Sequence, residues 1–170
     1  SIIMYYQKLY FDTPSLMSFT GIAGEELKLQ LKYESYEGVE TEGIYLYVHY
    51  DSSVLTKVSV EDTKVKERAL FENKLKDDSS NNDSDDKTDK IIELQWTDLS
   101  NNWPWANQED EFATIANIKF KVDDEADLSS ESSPLNISII SNDYYYSEGS
   151  SKNLIIGKNP SYQSAPILIS

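Results

Sequence analysis

Apolar and polar residues alternate with a period of two in stretch after stretch of this chain, and that pattern limits what it can become. Leu27, Leu29, Leu31 and Tyr33 share one face, with Lys28, Gln30 and Lys32 on the other. Ile44, Leu46, Val48 and Tyr50 repeat the pattern against Tyr45, Tyr47 and His49, so the outer face of this segment is aromatic rather than charged. Ile92, Leu94 and Trp96 form a third stripe. Phe112, Ala116, Ile118, Phe120 and Val122 form the longest, opposed by Asn117, Lys119 and Lys121. Leu135, Ile137 and Ile139 alternate with Asn136 and Ser138, Val58 and Val60 give a weaker stripe, and Ile167 and Ile169 close the chain. Side chains of a strand point alternately to its two faces, so each stretch predicts a strand buried on one side. One-sided burial belongs to antiparallel sheets, because parallel α/β sheets read as continuous apolar runs between helices. An apolar sheet face must be covered by another layer, and the pattern therefore predicts an all-β, antiparallel two-sheet sandwich.

Between the stripes lie turn residues and long polar segments. Gly21 to Gly24 precedes the first clear strand, Glu37-Gly38 the second, and Pro134 stands just before the Leu135 strand, where a missing N–H costs little. The spacing of Val65, Ala69, Glu72 and Leu75 predicts a short helix over Thr63–Leu75. Asp77 to Lys90, Asp123 to Ser133 and Ser141 to Gln163 are too polar to order themselves, and need an ion, a partner or the sandwich to hold them. The 170 residues fit a single domain spanning 1–170. The chain opens on Ser1 with Met4 inside the segment, which suggests a module of a longer polypeptide.

Composition removes several kinds of chemistry. Without cysteine there are no disulfides, thiolate metal sites or cysteine nucleophiles. A formal net charge of -15 repels phosphate backbones, so nucleic acid is not an expected partner. No apolar run approaches the roughly 20 residues that span a bilayer, and membrane insertion by this segment is not expected. The one histidine, His49, lacks the context of a nucleophile elbow and reads as a strand residue with its ring on the outer face. Carboxylate pairs such as Glu93 and Asp98 could serve a glycosidase fragment, but among 30 acidic residues such pairs arise by chance. No catalytic residue is assigned, and the chain is expected not to be an enzyme.

Two constellations remain. Asp78, Asp83, Asp85, Asp86 and Asp89, with Asn81, Asn82 and Ser84 between them, offer closely spaced hard oxygens of the kind Ca2+ takes. Aligned from Asp78, the loop departs from an EF-hand, with Asp83 where the glycine belongs and Asp89 in place of the bidentate glutamate. A solvated acidic loop is the other reading. Trp103 and Trp105 flank Pro104 beyond the Trp96 strand, where indoles can stack on sugar or anchor a protein, or fold over the end of the core. Together with Tyr45 and Tyr47 they are the candidate ligand-binding residues.

Several local motifs, in order, resemble the cohesin modules of cellulosomal and cell-surface proteins. Gly21-Ile22-Ala23-Gly24-Glu25-Glu26-Leu27 is similar to the family's glycine-containing turn into an alternating strand. Gly43 to Tyr50 followed by Asp51-Ser52-Ser53-Val54-Leu55, and Ala113 to Val122, resemble two of its later strands. The resemblance implies a jelly-roll sandwich of about nine strands that binds a protein, usually a calcium-containing dockerin, on a secreted or surface polypeptide. A carbohydrate-binding module, with polysaccharide as ligand, is the alternative. The 63–90 insertion and Asp127, where the family often has glycine, depart from the pattern and leave the dockerin-binding face unassigned.

Overall fold

The computed structural model describes residues 7–11, 19–35, 40–62, 70–97, 112–124, 132–145, 151–153, 162–164 and 167–169. All regular structure in them is strand. β1 (Gln7–Phe11), β3 (Glu26–Ser35), β8 (Phe112–Val122) and β5 (Leu55–Asp62) make a four-stranded antiparallel sheet in the order β1-β3-β8-β5. β11 (Ser151–Asn153), β10 (Leu135–Tyr145), β4 (Glu40–Tyr50), β7 (Lys90–Thr97) and β6 (Leu70–Asp77) follow one another in the second sheet. β12 (Tyr162–Ser164) also pairs with β10. A small third sheet joins β2 (Phe19–Gly21), β13 (Ile167–Ile169) and β9 (Ser132–Ser133), with β13 parallel to β2.

The predicted stripes face one another across the two large sheets. Leu29, Leu31, Tyr33, Ile118 and Phe120 from one sheet pack in a single core with Ile44, Leu46, Val48, Ile92, Leu94 and Trp96 from the other. Tyr50 and Phe120 meet across the gap with ring centroids 5.0 Å apart. Burial pushes the Tyr50 hydroxyl up to about 12, with the Asp89 charge acting in the same sense. The fold is thus the antiparallel two-sheet sandwich that the alternation requires.

Turn chemistry links the layers. At the end of β4 the Asp51 carboxylate accepts from Ser53 N at 2.9 Å, while its carbonyl accepts from Leu55 N at 3.0 Å. This compact turn carries the chain from the six-stranded sheet into β5 of the opposite one. Before β3, Gly24 adopts a φ of +83°, open to glycine at little cost, and its N–H donates to Val122 O at 2.8 Å.

Three features depart from expectation. Leu70–Leu75, the second half of the expected helix, is strand β6, because its backbone pairs along the whole of β7; residues 63–69 lie outside the described residues. The β8 stripe is interrupted by a register shift opposite Leu31 and Lys32, so Ile115 and Ala116 are both buried. A similar shift between Lys57 and Ser59 leaves Val58 48% exposed. β1, β2, β9, β11 and β12 were not foreseen, being short or polar, and Ser141–Tyr145, expected as the start of a polar loop, continue β10.

Candidate functional site

Strand pairing defines a second face on the six-stranded sheet, turned away from the core. Tyr45, Tyr47 and His49 of β4 stand opposite Gln95, Glu93 and Ile91 of β7, which in turn face Glu72, Lys74 and Lys76 of β6. On the other side of β4, Asn136 and Ser138 of β10 stand opposite His49 and Tyr47. The face has two halves. One is open: Tyr45 and Tyr47 are half-buried, edge to face, with centroids 5.6 Å apart and an 81° interplanar angle. The Tyr45 hydroxyl donates to that of Tyr47 at 3.5 Å, and this contact, with burial and Glu93, holds the Tyr45 hydroxyl well above the ordinary tyrosine range. Lys76 pairs with Glu93 at 3.0 Å beside them.

The other half is covered by the loop of residues 78–89 that joins β6 to β7. Asp77 and Lys90 close the hairpin by register and by an ion pair, which raises the Lys90 ammonium above its usual value. Beyond that pair the loop's acidic and amide side chains bind its own backbone, as Asp and Asn do in turns. Asp78 Oδ1 accepts from Asn81 N at 3.1 Å, and Asp85 Oδ1 from Lys87 N at 3.0 Å. Asn81 and Ser84 take left-handed conformations, φ 50° and 53°. The loop therefore bends back over the sheet.

Where it lands, His49 is completely buried. Its Nδ1 lies 2.7 Å from Asp78 Oδ2 and 3.5 Å from Asp83 Oδ1, and its Nε2 lies 2.6 Å from Ser138 Oγ. Asn136 Nδ2 donates to Asp83 Oδ2 at 2.9 Å and to Asp85 Oδ2 at 3.2 Å, and Thr88 Oγ1 donates to Asp83 Oδ2 at 2.5 Å. At the far end, Asp89 accepts from Ser52 N at 2.7 Å and Ser52 Oγ at 2.5 Å. Partial burial works against the Asp89 charge, but the Ser52 bonds and Lys90 prevail and hold the carboxyl below its usual range.

The five expected calcium ligands are thus divided. Asp78 and Asp83 converge on His49, Asp85 turns to Asn136 and Lys87, Asp86 Oδ1 accepts from Asn81 Nδ2 at 3.4 Å, and Asp89 binds Ser52. Tyr45 and Tyr47 share the open face, whereas Trp103, Trp105, Asp98 and Asp127 lie outside the described residues. His49, Asn136 and Ser138 were not assigned to a site from the sequence. The available signal was their place on the polar face of strands whose other face is apolar.

Among solved structures, this arrangement of strands is that of cohesins. The seventh ScaB type I cohesin from Pseudobacteroides cellulosolvens superposes with a TM-score of 0.65 at 13% identity, covering 98% of this chain and 94% of that one. A type I cohesin–dockerin complex from Clostridium thermocellum gives 0.60 at 12% identity over 100% and 98%. A non-cellulosomal cohesin from the hyperthermophilic archaeon Archaeoglobus fulgidus gives 0.56 at 13% identity over 97% and 91%. No family model matches the sequence, and no curated protein does. The chain has a cohesin-like jelly-roll β-sandwich fold.

Proposed function

We propose that the chain is a non-catalytic protein-binding module whose partner docks on the open half of the six-stranded sheet's outer face. The observation that carries this is the contrast between the two outer faces. Lys28, Gln30, Asn117, Lys119 and Lys121 give the four-stranded sheet a polar surface, while the other offers Tyr45 and Tyr47 among Glu72, Lys74, Lys76, Glu93 and Gln95. Aromatic anchors inside a charged rim are the usual make-up of a protein interface. A dockerin-like module is the partner class this reading favours, since a structural neighbour is a cohesin–dockerin complex. A secreted or surface polypeptide is the setting that goes with it. Polysaccharide binding fits the same face less well. At 81° to each other, the two rings offer no shared platform on which a sugar chain could lie flat.

The test is titration calorimetry against a panel of dockerin modules, with a glycan array in parallel. Binding to one dockerin is expected to weaken roughly tenfold or more in Tyr47→Ala, and to be unchanged in Lys28→Ala on the opposite sheet. Silence across the panel together with a glycan hit would sink the reading. Equal loss in both variants would move the interface elsewhere.

A further inference from the structure

The group under the 78–89 loop is charged in a way its neighbours do not balance. The side chains of Asp78 and Asp83 are 1% and 0% exposed, and among the described residues neither pairs with Lys or Arg. With His49 neutral, the cluster holds two buried negative charges; with His49 protonated it still holds one. Burying unbalanced charge is expensive, and such groups normally pair or coordinate a metal.

Orientation adds a second observation. Each of the three side chains turns one donor atom inward while a neighbour holds its other polar atom. His49 Nε2 is engaged by Ser138, Asp83 Oδ2 by Asn136 and Thr88, and Asp78 Oδ1 by Asn81 N. Supporting bonds of this sort orient metal ligands and set the histidine tautomer. Among the described residues, the buried, inward Asp83 Oδ1 has no hydrogen-bond partner. One ligand atom from each of His49, Asp78 and Asp83 lies within 4.8 Å of the other two.

We propose that His49 Nδ1, Asp78 Oδ2 and Asp83 Oδ1 bind a first-row divalent cation of the zinc class, which pins the 78–89 loop to the outer face of the six-stranded sheet. A tetrahedral centre with bonds of about 2.1 Å sets its ligands about 3.4 Å apart. The 3.5 Å between Nδ1 and Asp83 Oδ1 already fits, and the 2.7 Å to Asp78 Oδ2 must open by about 0.7 Å. One imidazole nitrogen with two carboxylate oxygens suits zinc, whereas calcium takes about six to eight oxygens, and here the second oxygens of both carboxylates are held by donors. A divalent ion with neutral His49 brings the cluster's charge to zero. The proposal stands independently of the docking face.

The test uses the untagged 170-residue chain after chelator treatment, titrated separately with Zn2+ and Ca2+. One equivalent of Zn2+ is expected to bind, and at about a hundredfold over Kd to raise Tm by roughly 5 °C or more, with Ca2+ giving no comparable shift. Asp83→Asn, which keeps the side chain's shape, should weaken zinc binding at least tenfold. Because His49 is the chain's one histidine, imidazole NMR reports the site in the unaltered protein. Zinc should shift Nδ1 and leave Nε2 protonated, whatever becomes of the variant's folding. No zinc binding, an unmoved Nδ1, undiminished binding in a folded Asp83→Asn, or stabilisation by calcium instead of zinc would each overturn the proposal.

Discussion

At the residue scale, His49 shows how a single position acquires its environment. Alternation in β4 is enough to put its ring opposite the core side chains of Val48 and Tyr50, and that much is legible in the sequence. Its complete burial is not, because the cover comes from residues about thirty to forty positions further on, and its two nitrogens meet Asp78 and Ser138. Asn136 is the hinge of this cluster, donating to Asp83 and Asp85 together. Asn136→Ala should cost about 2 kcal/mol, because it leaves buried carboxylate oxygens short of donors, and urea unfolding at neutral pH with chelator present measures it. Gly24→Ala should cost about 1–2 kcal/mol in the same assay. The φ of +83° is the main reason, since the nearest atom to an added Cβ is the movable Asp124 carboxylate.

At the element scale, the β6–loop–β7 unit was the hardest to read. Val65, Ala69, Glu72 and Leu75 match a helical spacing, but propensity and spacing are local quantities. Pairing of Leu70–Asp77 with Lys90–Thr97 is not local and overrides them. Among the described residues β6 is an edge strand carrying Glu72, Lys74 and Lys76, charges that discourage further strand addition, and Leu75 is 46% exposed there. The Asp-rich loop was legible as a segment needing something to hold it, and the sandwich supplies part of that through Asn136 and Ser52. The Ser52–Asp89 bonds also predict a pH effect. A carboxyl whose folded pKa lies below its unfolded value stabilises the fold above the unfolded value, about 4, and that contribution is lost as pH falls through the folded one. Ser52→Ala removes the hydroxyl bond. Its stability deficit against the unaltered chain is therefore expected at neutral pH and should narrow below about pH 4; a deficit independent of pH would contradict this role for Asp89.

At the scale of the whole molecule, stability rests on the contact between two sheets. Phe120 is completely buried and touches Tyr50 of the opposite layer, so Phe120→Ala should cost about 3–5 kcal/mol, read as a lower denaturation midpoint. A loss below about 1 kcal/mol would mean that the sheets close over the gap. The net charge of -15 is concentrated partly in the 78–89 loop, where most of the acids accept hydrogen bonds. The amino-acid order by itself determined the class of fold, the inner faces of β3, β4 and β7 and the core place of Trp96, because a period of two and the need to bury apolar faces are properties of neighbouring residues. Only the tertiary structure decided which strands pair, where the register shifts and that a histidine and two aspartates meet beneath a loop. Those contacts join residues far apart in the chain, and no local periodicity encodes the distance between them.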